Sequence, residues 1–437
     1  MLEKAKNHRK ELLSQAKKEA RSPTMIRSEW VRSIIGLVNE HVTANEKQIS
    51  VKVLQDIAYL FSYGGMIHHN LAFYAVDLSP TGTGKTEVVK KCRQLLLSPV
   101  MKIQEEKLNE DIDRYKEEIL SAKGKEKDFI EYPKLHKCIH VSSTSEEALF
   151  ESFEAQNAQI IEMGELGRKL KSSKYQSLID YIVDGYGASE LLAPNYKNQR
   201  FRKQMKIEYP NLFFYGDTTI QYLGKGAFFE HIEGGLLNRC FLIYNPHIPE
   251  FDELPNSYAI DKNSVEKYNE IAVRIVKYAT QYSSEMINVE ITPYLKKCER
   301  YIYDIRKNLV ENNSPFANLY ARSIQNFRIL INVFHLIKCF DADVFFSDVE
   351  ESTVKEAFEF LKWQMEVYPL LMDEFSGVSD EKRKETQKSK ILQYLGDQKL
   401  PMTFREVQRK FTIKKQDVEI AVAGVYKHDG RKILSKV

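Results

Sequence analysis

The stretch Ser79-Pro-Thr-Gly-Thr-Gly-Lys-Thr86 carries residue types that grip phosphate, at the spacing gripping requires. Gly82 and Gly84 let the backbone N–H groups around Thr83 turn inward toward an anion. Lys85 then reaches terminal phosphates, and the Thr86 hydroxyl holds a divalent cation. The ligand this chemistry suits is ATP with Mg²⁺. The usual pattern, G-x-x-x-x-G-K-T, opens on Gly, whereas this chain has Ser79, so the start of the turn must accept a Cβ. The alternative is a glycine-rich surface turn before an exposed lysine; a buried strand before it and an amphipathic helix after it favour the phosphate loop.

Hydrolysis of such a ligand needs carboxylates near the metal and the attacking water. Ala158–Met163 (AQIIEM) reads as a strand that ends in Gly164-Glu165. Many nucleotide hydrolases have Asp-Glu at this place. With Gly164 where the Asp would be, Glu165 is the candidate catalytic carboxylate and Glu162 the candidate on the metal side. Otherwise the two are surface glutamates at a strand end. Further along, Asn211–Tyr215 leads into Gly216-Asp217-Thr218-Thr219, where Thr218 and Thr219 form a polar tip suited to sensing a γ-phosphate. Arg239 stands immediately before the strand Cys240–Tyr244. Arg322, near the start of the amphipathic run Tyr320–Leu336, either reaches the nucleotide from a lid or is a surface residue.

A second kind of chemistry lies in Glu190–Tyr209, where Lys197, Arg200, Arg202, Lys203 and Lys206 interleave with Tyr196 and Phe201. Cations among aromatic rings hold a phosphate backbone and bases together, unless the segment is a solvated basic loop. The C-terminal piece is also basic: Glu381–Val437 has 15 Lys/Arg against 7 Asp/Glu, a balance of +8 within a chain of net +3, which leaves −5 for the rest. It reads as three helices and a short hairpin. Thr403 and Glu406 form a capping box, Thr412 caps the third helix, and Asp429-Gly430 makes the turn. That is a winged-helix pattern with Lys414, Lys415, Arg431 and Lys432 on the helix and wing that meet DNA, although such a module also docks proteins.

The elements that must position these groups follow from periodicity. Leu71–Leu78 is apolar enough for a buried strand, and Glu87–Leu97 has helical spacing until Pro99 stops it. Lys137–Ser142 reads as a second strand, with Ser143 or Thr144 capping the next helix through a Thr144/Glu147 box. Five short apolar strands separated by helices predict a parallel sheet covered on both faces, with ligands beyond the strand carboxyl ends. Met25–Val42 and Ser50–Tyr63 are amphipathic helices that would form a collar before the first strand. Residues 101–130 read as a charged exposed helix or helical hairpin, and Asn263–Leu371 as continuous helical structure. Met1–Arg21 is a charged helix, either a solvated arm or a subunit contact.

Composition excludes other classes. The 5 cysteines lie far apart without metal-ligand spacing, so buried reduced thiols are expected. No apolar run is long enough to cross a bilayer and the first residues do not read as a signal peptide, so a cytoplasmic protein with no membrane partner is expected.

Taken in order, SPTGTGKTE, HVSSTSEEAL, GELGRKL, LIDYIVDGYG, FFYGDTT and GLLNRCFLIY make residues 25–370 resemble the P-loop ATPases of phage, plasmid and integrated-element replication modules. The region around Arg322 and the C-terminal domain also look like the AAA+ helicases of the minichromosome-maintenance group. The resemblance implies an α/β fold: a P-loop NTPase parallel sheet, a helical lid and a C-terminal winged helix. It divides the chain into a helical arm and collar (1–66), an ATPase core (67–250), a lid (251–375), and a linker with the winged helix (376–437). It further implies a homo-oligomeric ring, usually a hexamer, acting on single-stranded or forked DNA. In it Lys85 and Thr86 bind phosphate and Mg²⁺, Glu165 is catalytic, Thr218 or Thr219 is a sensor, and Arg239 completes a neighbour's site. The basic loop around Arg200 corresponds to a hairpin that grips DNA. No primase cluster is evident, which leaves room for a separate primase. The expected function is an ATP-dependent DNA helicase or translocase; the alternative is a weakly hydrolysing initiator or helicase loader.

Overall fold

Apolar runs such as YAVD and NLFFYGD, buried on both faces, are suited only to the middle of a covered sheet. A computed structural model describes residues 25–122, 139–141, 144–193, 206–375, 388, 391–396, 398, 400–411, 415–429 and 431–436. The chain divides into two compact units between Tyr368 and Pro369. Among the described residues no helix is long and apolar enough to cross a membrane.

The first unit is mixed α/β. Helices α1 (Glu29–Glu40) and α2 (Glu46–Tyr63) precede strand β1 (Tyr74–Asp77). Helix α3 (Lys85–Cys92) passes through one π-helical turn, Arg93–Leu97, into α4 (Ser98–Ser121). Pro99 therefore does not end the helical run: it lies in the first turn of α4, directly after the π-helical turn. Strand β2 (Ile139–Val141), helix α5 (Glu146–Ala155), strand β3 (Ala158–Met163) and helices α6 (Leu166–Lys169) and α7 (Gln176–Gly185) follow. The α5 cap is Ser145, whose hydroxyl accepts from Ala148 N at 3.2 Å, one residue later than the Thr144 box predicts.

Short strands β4 (Glu190–Leu192) and β5 (Lys206–Glu208) pair antiparallel, and lead to β6 (Asn211–Asp217). Helices α8 (Ile220–Leu223), α9 (Lys225–Glu233) and α10 (Leu236–Arg239) connect to β7 (Cys240–Ile243). Five strands make one parallel sheet in the order β2-β3-β6-β1-β7, as the alternation of strands and helices predicts.

Helix α2 lies on one face of this sheet rather than standing apart as a collar. Its Gln55 Nε2 donates to the carbonyls of Phe73 and Phe214 at 3.1 and 2.9 Å. Helix α7 takes the other face, where Tyr74 Oη donates to Ile182 O at 2.6 Å. The helical stretch expected after residue 262 is present as α11 (Lys262–Gln281), α12 (Pro293–Glu311), α13 (Ser323–Asp341) and α14 (Glu351–Met365), with α15 (Val367–Phe375) crossing the boundary. Helices α11 to α14 belong to the same compact unit as the sheet; Gln364 Nε2, for example, donates to Leu242 O in β7 at 2.6 Å.

The second unit has helices over residues 391–396 (α16), Phe404–Phe411 (α17) and Lys415–Val422 (α18), and strands β8 (Met402–Thr403), β9 (Tyr426–His428) and β10 (Lys432–Lys436). The strands form an antiparallel sheet in the order β8-β10-β9. Ile391, Leu395, Phe404, Val407, Val418 and Ile433 fill its core. The Thr403/Glu406 capping box is present, with Glu406 N donating to Thr403 Oγ1 at 3.3 Å and Thr403 N to Glu406 Oε2 at 2.6 Å. Asp429 Oδ1 ties the β9–β10 turn by accepting from Arg431 N and Lys432 N.

Candidate functional site

Parallel strands deliver their carboxyl ends to one edge of the sheet, and the chain leaving β1 there makes the Ser79–Thr86 loop. Gly82 (φ 88°) and Gly84 (φ 74°) are left-handed, which glycine adopts without strain. A Cβ on Gly84 would lie 2.7 Å from Ala44 N, so the loop also packs too closely on the segment before α2 for any other residue. Thr83 Oγ1 closes the turn on Pro80 O at 2.9 Å.

Ser79 is compatible with its position because it is outside the left-handed region. Its hydroxyl is used: buried, it accepts from Asn245 N at 2.9 Å, just past β7. Beneath the loop Asp77 accepts from Ser79 N at 2.9 Å and from Gln48 Nε2 at 2.7 Å, and Asn245 Nδ2 donates to Gln48 Oε1 at 3.1 Å. Burial raises the Asp77 pKa and these hydrogen bonds oppose the rise.

Lys85 opens α3 and turns back over the loop, where Nζ donates to the carbonyls of Ser79, Pro80 (3.3 Å) and Thr218 (2.9 Å). Burial lowers its pKa, opposed by Asp77 and Asp217. Those two aspartates are opposite each other in the β1–β6 register, at the ends of YAVD and FYGD. Burial raises the Asp217 pKa, and Lys85 opposes it.

Loop, α3 and the β6 end form one wall of a cleft of about 350 Å³, lined by Gly82, Thr83, Gly84, Lys85, Thr86, Asp217, Thr218 and Thr219. Glu165, Arg168 and Tyr222 complete the lining. The volume is that of a small-molecule site, and the amino end of α3 contributes positive dipole to it. Glu165 sits at φ 53° after Gly164, with its carboxylate 3.0 Å from Arg168 Nη1. Arg168 in turn lies over the Tyr222 ring at 4.9 Å. Thr219 caps α8 by accepting from Tyr222 N at 3.3 Å, while Thr218 is buried where Gly167 lets α6 approach; a Cβ there would be 2.6 Å from Thr218 Oγ1.

The structure does not bring Glu162 to this cleft. Strand alternation turns it under α2, where it lies 3.1 Å from Lys52 Nζ and pairs with Arg93. Lys52 also bonds Asp56 at 2.6 Å, and all three side chains of α2 and β3 are buried. Glu162 is therefore occupied by two cations and is unsuited to the metal role its sequence position suggests.

Arg239 and Arg322 are also outside the cleft. Arg239 ends α10, at the amino end of β7 and so at the opposite edge of the sheet. Its Nη1 donates to Gly235 O at 2.6 Å and its guanidinium lies 5.9 Å from the Tyr186 ring centre. Burial first, and then the neighbouring Arg322, lowers the Arg239 pKa, so two cations share this edge. Lys197, Arg200, Arg202, Lys203 and Lys414 lie outside the described residues. The β4–β5 stem that flanks the first four is described, with Lys206 paired to Glu190 at 3.4 Å and to Glu208 at 3.0 Å. In the second unit Lys415, Arg431 and Lys432 are exposed.

Sequence reading missed Asp217, Asp77 and Arg168 as members of the site. The one available signal was that two strands, YAVD and FYGD, both end in aspartate. Compared with known proteins, the chain matches no family model and no curated sequence.

Proposed function

We propose that this chain is a ring-forming P-loop ATPase that unwinds or translocates along DNA in the replication of a phage, plasmid or other mobile element. The observation that carries the reading is complementary chemistry at opposite ends of one sheet: the Lys85 cleft at the carboxyl end, and Arg239 with Arg322 at the amino end. A head-to-tail ring of copies sets one end against the other, so that Arg239 of each copy meets its neighbour's cleft. The β4–β5 stem, whose strands enclose a segment with four cations in its sequence, and the three-helix unit with its exposed lysines and hairpin support DNA as the partner, the latter as a winged helix.

The donor set fits Mg²⁺ and ATP. Among the described residues no three His, Cys, Asp or Glu side chains form a metal site of their own, which suits an ion shared with phosphates rather than caged by protein. When bound, Mg²⁺ supplies neutralisation of phosphate charge. Lys85 would exchange its loop carbonyls for terminal phosphate oxygens, and the Thr86 hydroxyl would hold the metal. Glu165, released from Arg168, would orient a water and draw its proton away from the γ-phosphate side of the cleft.

A second reading, a weakly hydrolysing initiator or loader, is favoured by one observation: the Glu165 carboxylate is engaged by Arg168, and residue 164 has no acid. ATP turnover with and without single-stranded DNA separates the two. Several-fold stimulation by DNA supports the motor, tight ATP binding without turnover supports the switch, and absence of ATP binding ends both.

A further inference from the structure

Nucleotide hydrolases that have Asp-Glu after their third strand use that Asp near Mg²⁺, and this chain has Gly164 in its place. The space such a side chain would enter is already claimed. A Cβ added to Gly164 has one neighbour within 4 Å, and that neighbour is Asp217 Oδ2 at 3.4 Å. Asp217 comes from β6, the strand between β3 and β1, so its carboxylate stands at the one lateral position that is next to both Gly164 and the Lys85 loop. It lines the same cleft as Thr86 and Glu165. Glu162, the other acid at this strand end, is already held by Lys52 and Arg93.

We infer that Asp217 is the metal-side carboxylate of this cleft, having taken over from the neighbouring strand the role that residue 164 has no side chain to perform. The inference rests on the nucleotide-binding reading above. Mg²⁺ accepts one or two protein oxygens with phosphates and waters completing its octahedron, and the Thr86 hydroxyl with the Asp217 carboxylate meets that demand. A glycine at 164 follows from the same arrangement: an Asp there would set two carboxylates against each other, each disfavouring the ionised form of the other.

The test is affinity for a fluorescent ATP analogue measured in Mg²⁺ and in EDTA, with apparent melting temperature as a check on folding. Wild type should bind at least tenfold more tightly in Mg²⁺. Asp217→Asn, which keeps shape and loses charge, should gain less than threefold from Mg²⁺ over its own affinity in EDTA. Gly164→Asp should restore the metal-dependent gain in the Asp217→Asn chain and weaken it when introduced alone; Gly164 is not left-handed, so the backbone admits the side chain. Electron paramagnetic resonance of Mn²⁺ in the presence of the analogue should lose the bound signal in Asp217→Asn and recover it in the double variant. Equal weakening with and without metal would mean that Asp217 only positions Lys85, and an undiminished Mg²⁺ gain would mean that it has no metal role; either overturns the inference. Failure of wild type to bind the analogue at all would instead remove the nucleotide-binding reading itself.

Discussion

Glu162 and Glu165 are three residues apart in sequence, yet they belong to two regions of opposite character. Glu162 is enclosed with Lys52 and Asp56 between α2 and the sheet, where each charge is balanced by a neighbour, and the half-buried Arg93 closes the group from the side. Glu165 lines the open cleft, with its carboxylate exposed and paired to Arg168 of α6. Position on a strand end therefore does not by itself make a carboxylate functional. What counts is whether its partners are spent on the fold or can be exchanged for a ligand.

The enclosed region should respond to mutation through stability. Lys52→Met strands Asp56 and leaves Glu162 to Arg93 alone, and removing one partner of a buried pair costs about 3–5 kcal/mol, whereas replacing the whole pair with apolar groups is close to neutral. Lys52→Met should therefore melt far below wild type, and Lys52→Met with Asp56→Leu should regain much of the loss. Equal melting of all three would show that the enclosed charges are not coupled.

The open region should respond through chemistry. Glu165→Gln is expected to slow ATP hydrolysis by roughly 10²–10⁴-fold, the range for losing a general base, with melting and nucleotide affinity unchanged. Glu162→Gln is expected to do the reverse, lowering the melting temperature while the purified folded fraction keeps its turnover per site. If Glu162→Gln were the more damaging to turnover, the contrast between the regions would collapse. Next in size, Lys85→Ala should weaken ATP binding by about ten- to a hundredfold, as loss of charge-assisted hydrogen bonds of about 1.5–3 kcal/mol requires. Titration with a labelled nucleotide reads this directly.

The smallest expected effect is in the pH dependence. Burial pushes the Asp56 pKa from its ordinary 3.8 to about 6, with Lys52 opposing. A raised carboxyl pKa means that the folded chain holds the proton more tightly than the unfolded one, so this group's contribution is greatest below pH 3.8 and declines as pH rises through about 6. Melting temperatures of wild type and Asp56→Asn between pH 4 and 7 should thus shift relative to one another in favour of the variant as pH rises. A constant gap would assign the effect elsewhere.

Much of this was legible from the chain. The strands were visible because two-sided burial leaves uninterrupted apolar runs, and the loop because glycines at 82 and 84 serve no strand or helix. Asp217 stands within a strand-end motif, but an aspartate after a strand looks like any turn residue. Only the insertion of β6 between β3 and β1 brings it beside both Gly164 and Lys85. Lys52 and Asp56 escaped for a different reason: helical periodicity assigns charged positions to solvent, and α2 is buried nearly all round. Glu162 then looked free because the lysine that holds it looked exposed.

Strand β7 has Arg239 at one end, and Asn245, just past the other, is latched to the Ser79 hydroxyl. The four residues of β7 span about 13 Å of extended chain and scarcely stretch. Mechanically the strand is a pushrod. In the proposed ring, load on the guanidinium would pass along β7 to the first residue of the phosphate loop. A glycine at position 79, the residue that the usual pattern would supply, has no hydroxyl with which to receive it.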